Sequence, residues 1–176
     1  MQSLELLFDP ATEAQLRAEW TSLQDAGLPS SARNTSPSNR PHVTVAVAPE
    51  GLDRSLHALR AAVGELLPMP ITIGGYLVFP SPRGVVLCRS IVVSRALLEL
   101  HARVNRAVTP HALVLETARV DAWTPHATIA RRLSAEQLGA AIAHLPRWGS
   151  AATVVGLRLW DSETKTVTPA VGSGQV

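Results

Sequence analysis

The sequence predicts one α+β domain over residues 1–176, and two observations carry this prediction. Segments with alternating apolar residues are followed by segments with helical spacing along most of the chain. The order of strand, helix and strand then recurs after a repeated motif, which indicates a duplicated architecture. Because 46% of the residues are apolar, a chain of this length can bury a sizeable core.

The first part of the chain predicts two strand–helix units separated by a loop. Residues 3–8 (SLELLF) and 42–48 (HVTVAVA) read as strands, while residues 10–27 and 51–67 carry apolar residues at helical spacing. Residues 27–41 (GLPSSARNTSPSNRP) are polar and rich in Pro, Ser and Asn. We expect them to form an exposed, mobile loop that borders a site.

The middle of the chain predicts a hairpin and a helix. Residues 70–79 (PITIGGYLVF) and 83–93 (RGVVLCRSIVV) read as paired strands around a Ser-Pro turn. Residues 94–108 have helical spacing, and Ser94 is placed to cap the helix N-terminus.

The last part predicts a second strand–helix unit and two closing strands. Residues 125–132 (PHATIARR) read as a strand, and residues 134–145 as a helix that begins with a capping box. Residues 150–171 predict the two closing strands, and residues 171–176 a disordered tail.

Composition favours a cytoplasmic protein without a membrane segment. The N-terminus lacks a basic signal region, and no apolar run approaches the roughly 18 residues that a membrane span needs. The formal net charge is +2, with basic residues that are arginine except Lys165, so an anionic ligand is permitted. Cys88, the single cysteine, lies in a predicted buried strand and is expected to be structural. His57 and His101 lie in predicted helices, where we expect surface or core roles.

One motif occurs twice: PHVTV at 41–45 and PHATI at 125–129, with the two histidines 84 positions apart. Six histidines in this composition give about 0.4 His-x-Thr triplets by chance, so two copies, each preceded by proline, require an explanation. Residues i and i+2 of a strand share a face, so His42 projects with Thr44, and His126 with Thr128.

Two such pairs suit phosphodiester chemistry. One imidazole removes a proton from the nucleophile while the other delivers a proton to the leaving group, because histidine titrates near neutral pH. Threonine hydroxyls donate hydrogen bonds to the oxygens of a charged transition state. The residues alone do not say which histidine is the acid.

The motifs resemble the signature of the 2H phosphoesterase superfamily, two His-x-Thr/Ser-x motifs, and especially its bacterial RNA 2',3'-cyclic phosphodiesterases, also called 2'-5' RNA ligases. The segment between the motifs, ITIGGYLVFPSPRGVVLCRSIVVSRALLELHARV, is also similar to the central segment of that family. The resemblance implies two pseudo-symmetric lobes, each an antiparallel sheet with outer helices, around a central cleft with one motif per lobe.

The resemblance also implies an activity. It predicts a metal-independent phosphodiesterase that hydrolyses 2',3'-cyclic phosphates at RNA or nucleotide ends, with reversible 2'-5' ligation as a further activity. His42, His126, Thr44 and Thr128 would be catalytic, with no cofactor and no metal. The partners would be RNA ends, 2'-5' oligonucleotides or small cyclic nucleotides, bound by a monomer.

Several further residues are substrate-binding candidates. Family members often carry a basic residue at the position of Arg131, whereas strict strand alternation places Arg132 on the face of His126 and Thr128. Arg40 shares the parity of His42 in the preceding loop. Aromatic side chains offer surfaces for base stacking, and the candidates are Tyr76, Phe79 and Trp123.

Three other interpretations of the motifs stay open at the level of sequence. The cleft could bind a nucleotide or RNA end without turnover, because fold does not fix function. The two histidines could hold a metal, although Glu116 and Asp121 are the nearest acids and neither has usable spacing. Finally, the histidines could simply cap strand ends while the threonines serve as β-formers.

Overall fold

Strands and helices alternate along the chain, as the sequence predicts. The computed structural model describes residues 1–108, 116–147 and 149–172. The strands and α-helices of these residues are β1 (Gln2–Phe8), α1 (Pro10–Asp25), β2 (His42–Ala48), α2 (Leu56–Val63), β3 (Met69–Ser81), β4 (Gly84–Ile91), α3 (Arg95–Val108), β5 (His126–Leu133), α4 (Ala135–His144), β6 (Ala151–Asp161) and β7 (Thr166–Val171).

All strand pairs are antiparallel, and the strands follow the spatial order β2-β1-β6-β3-β4-β5, with β7 added to β6. The long strand β3 connects the two halves, because residues 69–72 pair with β6 and residues 73–81 pair with β4. The pairing with β4 begins at Ile73 and has an irregularity between Ile73 and Tyr76, at two glycines. The two predicted sheets are therefore joined into one through a shared strand.

The chain order shows the duplication that the repeated motif indicates. The unit β1-α1-β2-α2-β3 is followed by the equivalent unit β4-α3-β5-α4-β6, and the motif strands β2 and β5 lie at opposite ends of the strand order. Helix α1 packs against β5, α3 packs against β2, and β2 and β5 contact each other. The predicted pseudo-symmetric α+β fold is thus confirmed, and it brings both motifs together.

Local signals set most element boundaries. Asp9 caps α1, Ser94 Oγ accepts a hydrogen bond from the Leu97 amide at 3.1 Å, and α4 begins with the predicted capping box of Ser134 and Gln137. The helix predicted over 51–67 is shorter, since short 3-10 turns flank α2 on both sides.

The apolar core includes a buried ion pair that joins the two halves. Arg89 of β4 is 1% exposed and donates to Glu19 of α1, with an Nη2–Oε1 distance of 2.8 Å. The neighbouring Cys88 is fully buried, as expected. Burial raises the pKa of its thiol to about 11, so the thiol stays protonated at neutral pH.

The loop over 27–41 is more ordered in its contacts than its composition predicts. Only residues 33–37 form a continuous exposed stretch, whereas Ser30 and Pro41 are buried. Arg17 donates to the Asn39 carbonyl at 2.9 Å and so attaches the loop to α1.

At the other end of the chain, the predicted tail starts too early: Val171 is a buried residue of β7, while residues 173–176 lie outside the described part.

The helices of the described part of the chain are too short or too polar to cross a membrane.

Candidate active site

The two motif histidines are held in the same way at equivalent places. Nδ1 of His42 lies 2.7 Å from the Arg40 carbonyl, and Nδ1 of His126 lies 2.6 Å from the Thr124 carbonyl. A carbonyl oxygen only accepts, so Nδ1 carries the hydrogen and Nε2 remains for the substrate. The proline between each carbonyl and its histidine fixes φ and thereby favours this two-residue return of the chain.

Each motif strand contains a β-bulge directly after its threonine. In the pairing with β1, Val45 has no partner between Thr44 and Ala46, and in the pairing with β4, Ile129 has none between Thr128 and Ala130. Bulges re-aim side chains by changing the local twist. They explain why two consecutive buried residues follow each threonine, which strict alternation does not allow.

An indole holds each bulge in place. Trp20 of α1 donates through Nε1 to the Thr128 carbonyl at 3.0 Å, and Trp123 donates to the Thr44 carbonyl at 3.1 Å. The ring of Trp123 stacks on buried His101 of α3, with centroids 4.0 Å apart. The backbone of each threonine is therefore fixed by a tryptophan from a separate part of the chain.

A cavity of about 800 Å³ lies beside His42 and both threonines. His126 is not among the described lining residues, and its ring packs against Phe79 with centroids 4.7 Å apart. Burial lowers the pKa of His126, and the nearby positive charges of Arg131 and His42 add to this effect. The described lining residues are Glu5, Trp20, Pro29, Ser30, Ser31, Arg33, Asn34, Ser38, Asn39, Arg40, Pro41, His42, Thr44, Thr128, Arg131, Arg132, Arg158 and Trp160.

The charges of this lining favour an anion. Five arginines line the cavity, against Glu5 as the carboxylate among the described lining residues. Arg40 is paired with Glu13 at 2.6 Å, and Arg158 with Glu5 at 2.8 Å. Guanidinium groups bind phosphate oxygens through two parallel hydrogen bonds, so a phosphate ester is the ligand class that this lining suits best.

Arg131 and Arg132 both line the cavity. Strict strand alternation predicts that Arg132 shares a face with Thr128, and the structure differs from this prediction. The bulge at Ile129 shifts the strand by one residue and brings Arg131 Nη2 to 3.4 Å from Thr128 Oγ1. Arg132 is itself skipped in the pairing with β4 and has a φ of 63°. Arg131 is therefore the arginine next to the motif hydroxyl.

Glu5 and Arg158 are site residues that the sequence analysis missed. Glu5 Oε1 lies 3.6 Å from His42 Nε2 and accepts a hydrogen bond from Ser3 Oγ at 2.8 Å. Arg158 donates to the other carboxylate oxygen and to the Ser38 carbonyl, both near 2.8 to 2.9 Å. The available signal was one acidic residue inside the apolar strand SLELLF.

The three aromatic residues predicted to stack a base lie outside the described lining of the cavity. Tyr76 lies outside the described lining of the cavity: the Arg89 guanidinium covers its ring at 4.1 Å, and its hydroxyl donates to the Pro146 carbonyl. Phe79 packs against the ring of His126, and Trp123 donates a hydrogen bond to the Thr44 carbonyl. Tyr76 is thus not brought to the candidate site, and Trp20 and Trp160 are the aromatic residues in the described lining.

Two further histidines, His57 and His101, lie in helices α2 and α3, as the sequence predicts. His57 is exposed and His101 is buried. Within the described residues, no group of three or more His, Cys, Asp or Glu side chains is arranged to hold a metal ion.

Comparison with known proteins identifies the family. The model of the 2'-5' RNA ligase superfamily matches residues 10–166. The chain belongs to the 2'-5' RNA ligase superfamily. A search of curated proteins found no match.

Solved structures of this superfamily type share the fold at low identity. The apo structure of E. coli LigT is 17% identical with a TM-score of 0.56, covering 98% of this chain and 97% of LigT. The protein TT0787 of Thermus thermophilus is 19% identical with a TM-score of 0.58, covering 96% of this chain and 93% of that protein. LigT complexed with 3'-AMP is 15% identical at a TM-score of 0.56, covering 96% and 92%. The superfamily fold is therefore present over nearly the whole chain.

Proposed function

We propose that the protein is a phosphodiesterase that hydrolyses 2',3'-cyclic phosphates at RNA or nucleotide ends by two-histidine acid–base catalysis. One observation carries this proposal: two histidines are held in the same way through Nδ1, and each is followed by a threonine that lines the same arginine-rich cavity. Structural strand caps would need neither the arginines nor the matched Nδ1 bonds.

The chemistry is an in-line displacement at phosphorus. Water attacks, one P–O bond forms and the P–O bond to the 2' or 3' oxygen breaks, so a cyclic diester becomes a monoester. One histidine takes the proton from water, and the other gives a proton to the departing oxygen. Reversible 2'-5' ligation would use the same groups, with a 5'-hydroxyl in place of water.

Glu5 and the burial of His126 give the two histidines different roles. The Glu5 carboxylate lies 3.6 Å from Nε2 of His42, where it faces the proton that a general acid carries, so we assign the proton donor to His42. The pKa of His126 is lowered by burial and by Arg131, which favours the neutral ring that a base needs. His126 is then the residue that activates water.

The hydroxyls and arginines would stabilise the charge on phosphorus. Thr44 and Thr128 flank the histidines, and Arg131 lies 3.4 Å from the Thr128 hydroxyl. Donors that are fixed before reaction stabilise developing negative charge most strongly. A neighbour of the same fold, E. coli LigT, has been seen complexed with 3'-AMP, which supports a nucleotide or RNA end as the partner here. We further expect a cytoplasmic monomer.

The decisive experiment incubates the purified, chelator-treated protein with a nucleoside 2',3'-cyclic phosphate, an RNA ending in that group and a 2'-5' linked dinucleotide. Phosphorus NMR then identifies the product isomer. Turnover that is lost in the His42→Ala and His126→Ala variants and retained in the exposed control His57→Ala supports the proposal. Tight binding of these ligands without any turnover would make the protein a binding module, and loss of activity that zinc or magnesium restores would contradict the metal-independent mechanism.

A further inference from the structure

A second cavity opens beside the first. It has a volume of about 460 Å³ and lies between the tip of the 27–41 loop and the β6–β7 hairpin. Ser38, Arg40 and Arg158 belong to the described lining of both cavities, so the two cavities adjoin at these side chains. A strand whose end lies in the first cavity would pass these side chains to enter the second.

The lining of this second cavity combines apolar and positively charged side chains. Its apolar part consists of Leu7, Leu157, Val167, Pro169 and Val171. Its positive part consists of Arg40, Arg158 and Lys165, and no acidic side chain occurs among its described lining residues. Glu13 and Glu5, the partners of the two arginines, do not line it.

Lys165 supplies the most accessible of these charges. It is exposed in the β6–β7 turn, and its ammonium lies 5.7 Å from the ring centroid of Trp160, a residue of the first cavity. Apolar side chains next to cations suit a nucleoside with its phosphate, because the base is buried against apolar surface while the cations contact the backbone.

We propose that the second cavity binds the penultimate nucleoside of an RNA strand, on the 5' side of the nucleoside that carries the reacting phosphate, with Lys165 at the phosphate that links the two nucleosides. This inference rests on the proposed function and narrows it, since it makes an oligonucleotide end the preferred substrate over a mononucleotide. A mononucleotide would fill the first cavity alone.

The test compares binding and turnover with ligands of different length. The probes are a mononucleoside 3'-phosphate and a labelled RNA trinucleotide with a 3'-phosphate, with the corresponding 2',3'-cyclic phosphates as substrates. We expect the trinucleotide to bind more tightly, and Lys165→Asn to weaken its binding about three- to tenfold and reduce the salt slope of log K by about 0.7. Asparagine is chosen because Lys165 has a φ of 60°, a conformation that asparagine tolerates.

A second variant and a control keep the result interpretable. Val167→Glu places a negative charge among the apolar side chains of the second cavity. It should weaken trinucleotide binding, because the linking phosphate of the strand meets the new charge. The kcat/KM of the mononucleotide should stay within about twofold, because the mononucleotide does not reach this cavity. Arg83→Asn removes an exposed charge from the β3–β4 turn, outside the described lining of either cavity. It should leave the affinity for both ligands unchanged.

Two outcomes would overturn the inference. Equal affinity of the trinucleotide for the wild-type protein and both variants would mean that the second cavity does not hold RNA, even if cyclic phosphates are hydrolysed. A change of the solution mass in Val167→Glu, with unchanged RNA binding, would mean that a second copy of the chain covers this groove. Because the binding measurement needs no turnover, failure of the proposed hydrolysis is seen separately.

Discussion

The Glu5 carboxylate lies 3.6 Å from Nε2 of His42 and is itself paired with Arg158. Both Glu5 and Arg158 are buried, so the pair is fixed by its surroundings. His126 has Arg131 and His42 as the charged neighbours that affect its pKa. The two histidines therefore sit in opposite electrostatic surroundings although their backbone settings match.

Glu5→Gln should lower kcat about fivefold, because the Glu5 carboxylate lies 3.6 Å from Nε2 of His42, the proposed proton donor, and orients that ring toward the substrate. Steady-state kinetics with a nucleoside 2',3'-cyclic phosphate would measure the change. Glu19→Gln is the matched control, because it also leaves a buried arginine without its carboxylate. An equal loss of kcat in both variants would show a structural effect only.

Arg131→Gln should move the acid limb of the profile to higher pH and raise KM. The positive charge of Arg131 contributes to the lowered pKa of His126, so its removal raises that pKa and the neutral base then forms only at higher pH. Steady-state kinetics between pH 4.5 and 9 (~half-unit steps) would measure both changes. Arg132→Gln serves for comparison, and an acid limb that shifts only in this second variant would contradict the contact between Arg131 and the second motif.

His42→Ala and His126→Ala should each lower kcat by about 10²- to 10⁴-fold, and the double variant should lose far less than the product of the two. Acid and base act in one displacement, so removal of one already disables the step. A substrate with a p-nitrophenolate leaving group needs no proton donor and should rescue His42→Ala but not His126→Ala. The reverse rescue would exchange the two assigned roles.

Thr44→Val and Thr128→Val should reduce kcat with little change in substrate affinity, because their hydroxyls act on charge that develops in the transition state. Valine suits a β-strand, so the thermal unfolding midpoint should stay within a few degrees of the wild type. Val47→Thr, at a half-buried position of β2 beyond the bulge, is a control for a β-branched exchange. Variants with raised KM and unchanged kcat would place the hydroxyls in ground-state binding instead.

The sequence allowed the prediction of every strand and α-helix to within a few residues, apart from the helix at 51–67, because apolar periodicity and capping residues are local signals. The repeated His-x-Thr motif is also visible in the sequence, and the catalytic role of its residues stays a prediction. The bulges at Val45 and Ile129 were not predictable, since an extra residue in a strand depends on its partner. The position of Arg131 beside Thr128 follows from that bulge.

Long-range pairing decided the other differences. Glu5 and Arg158 are 153 positions apart and meet only because β1 and β6 are neighbours in the sheet. Tyr76 was a base-stacking candidate by residue type, yet a buried arginine on the adjacent strand β4 covers its ring. Such contacts depend on strand order, which periodicity alone does not contain.

The pseudo-symmetric fold has a chemical consequence. A perfectly two-fold site would hold two histidines of identical acidity, whereas hydrolysis needs one that donates and one that accepts. The strand opposite each threonine breaks this equivalence, because Glu5 faces Thr44 in the β1–β2 register and Cys88 faces Thr128 in the β4–β5 register. One half thus presents a carboxylate and the other a neutral thiol, so the acid and base roles that we propose would be set by the flanking strands, while the motifs themselves stay alike.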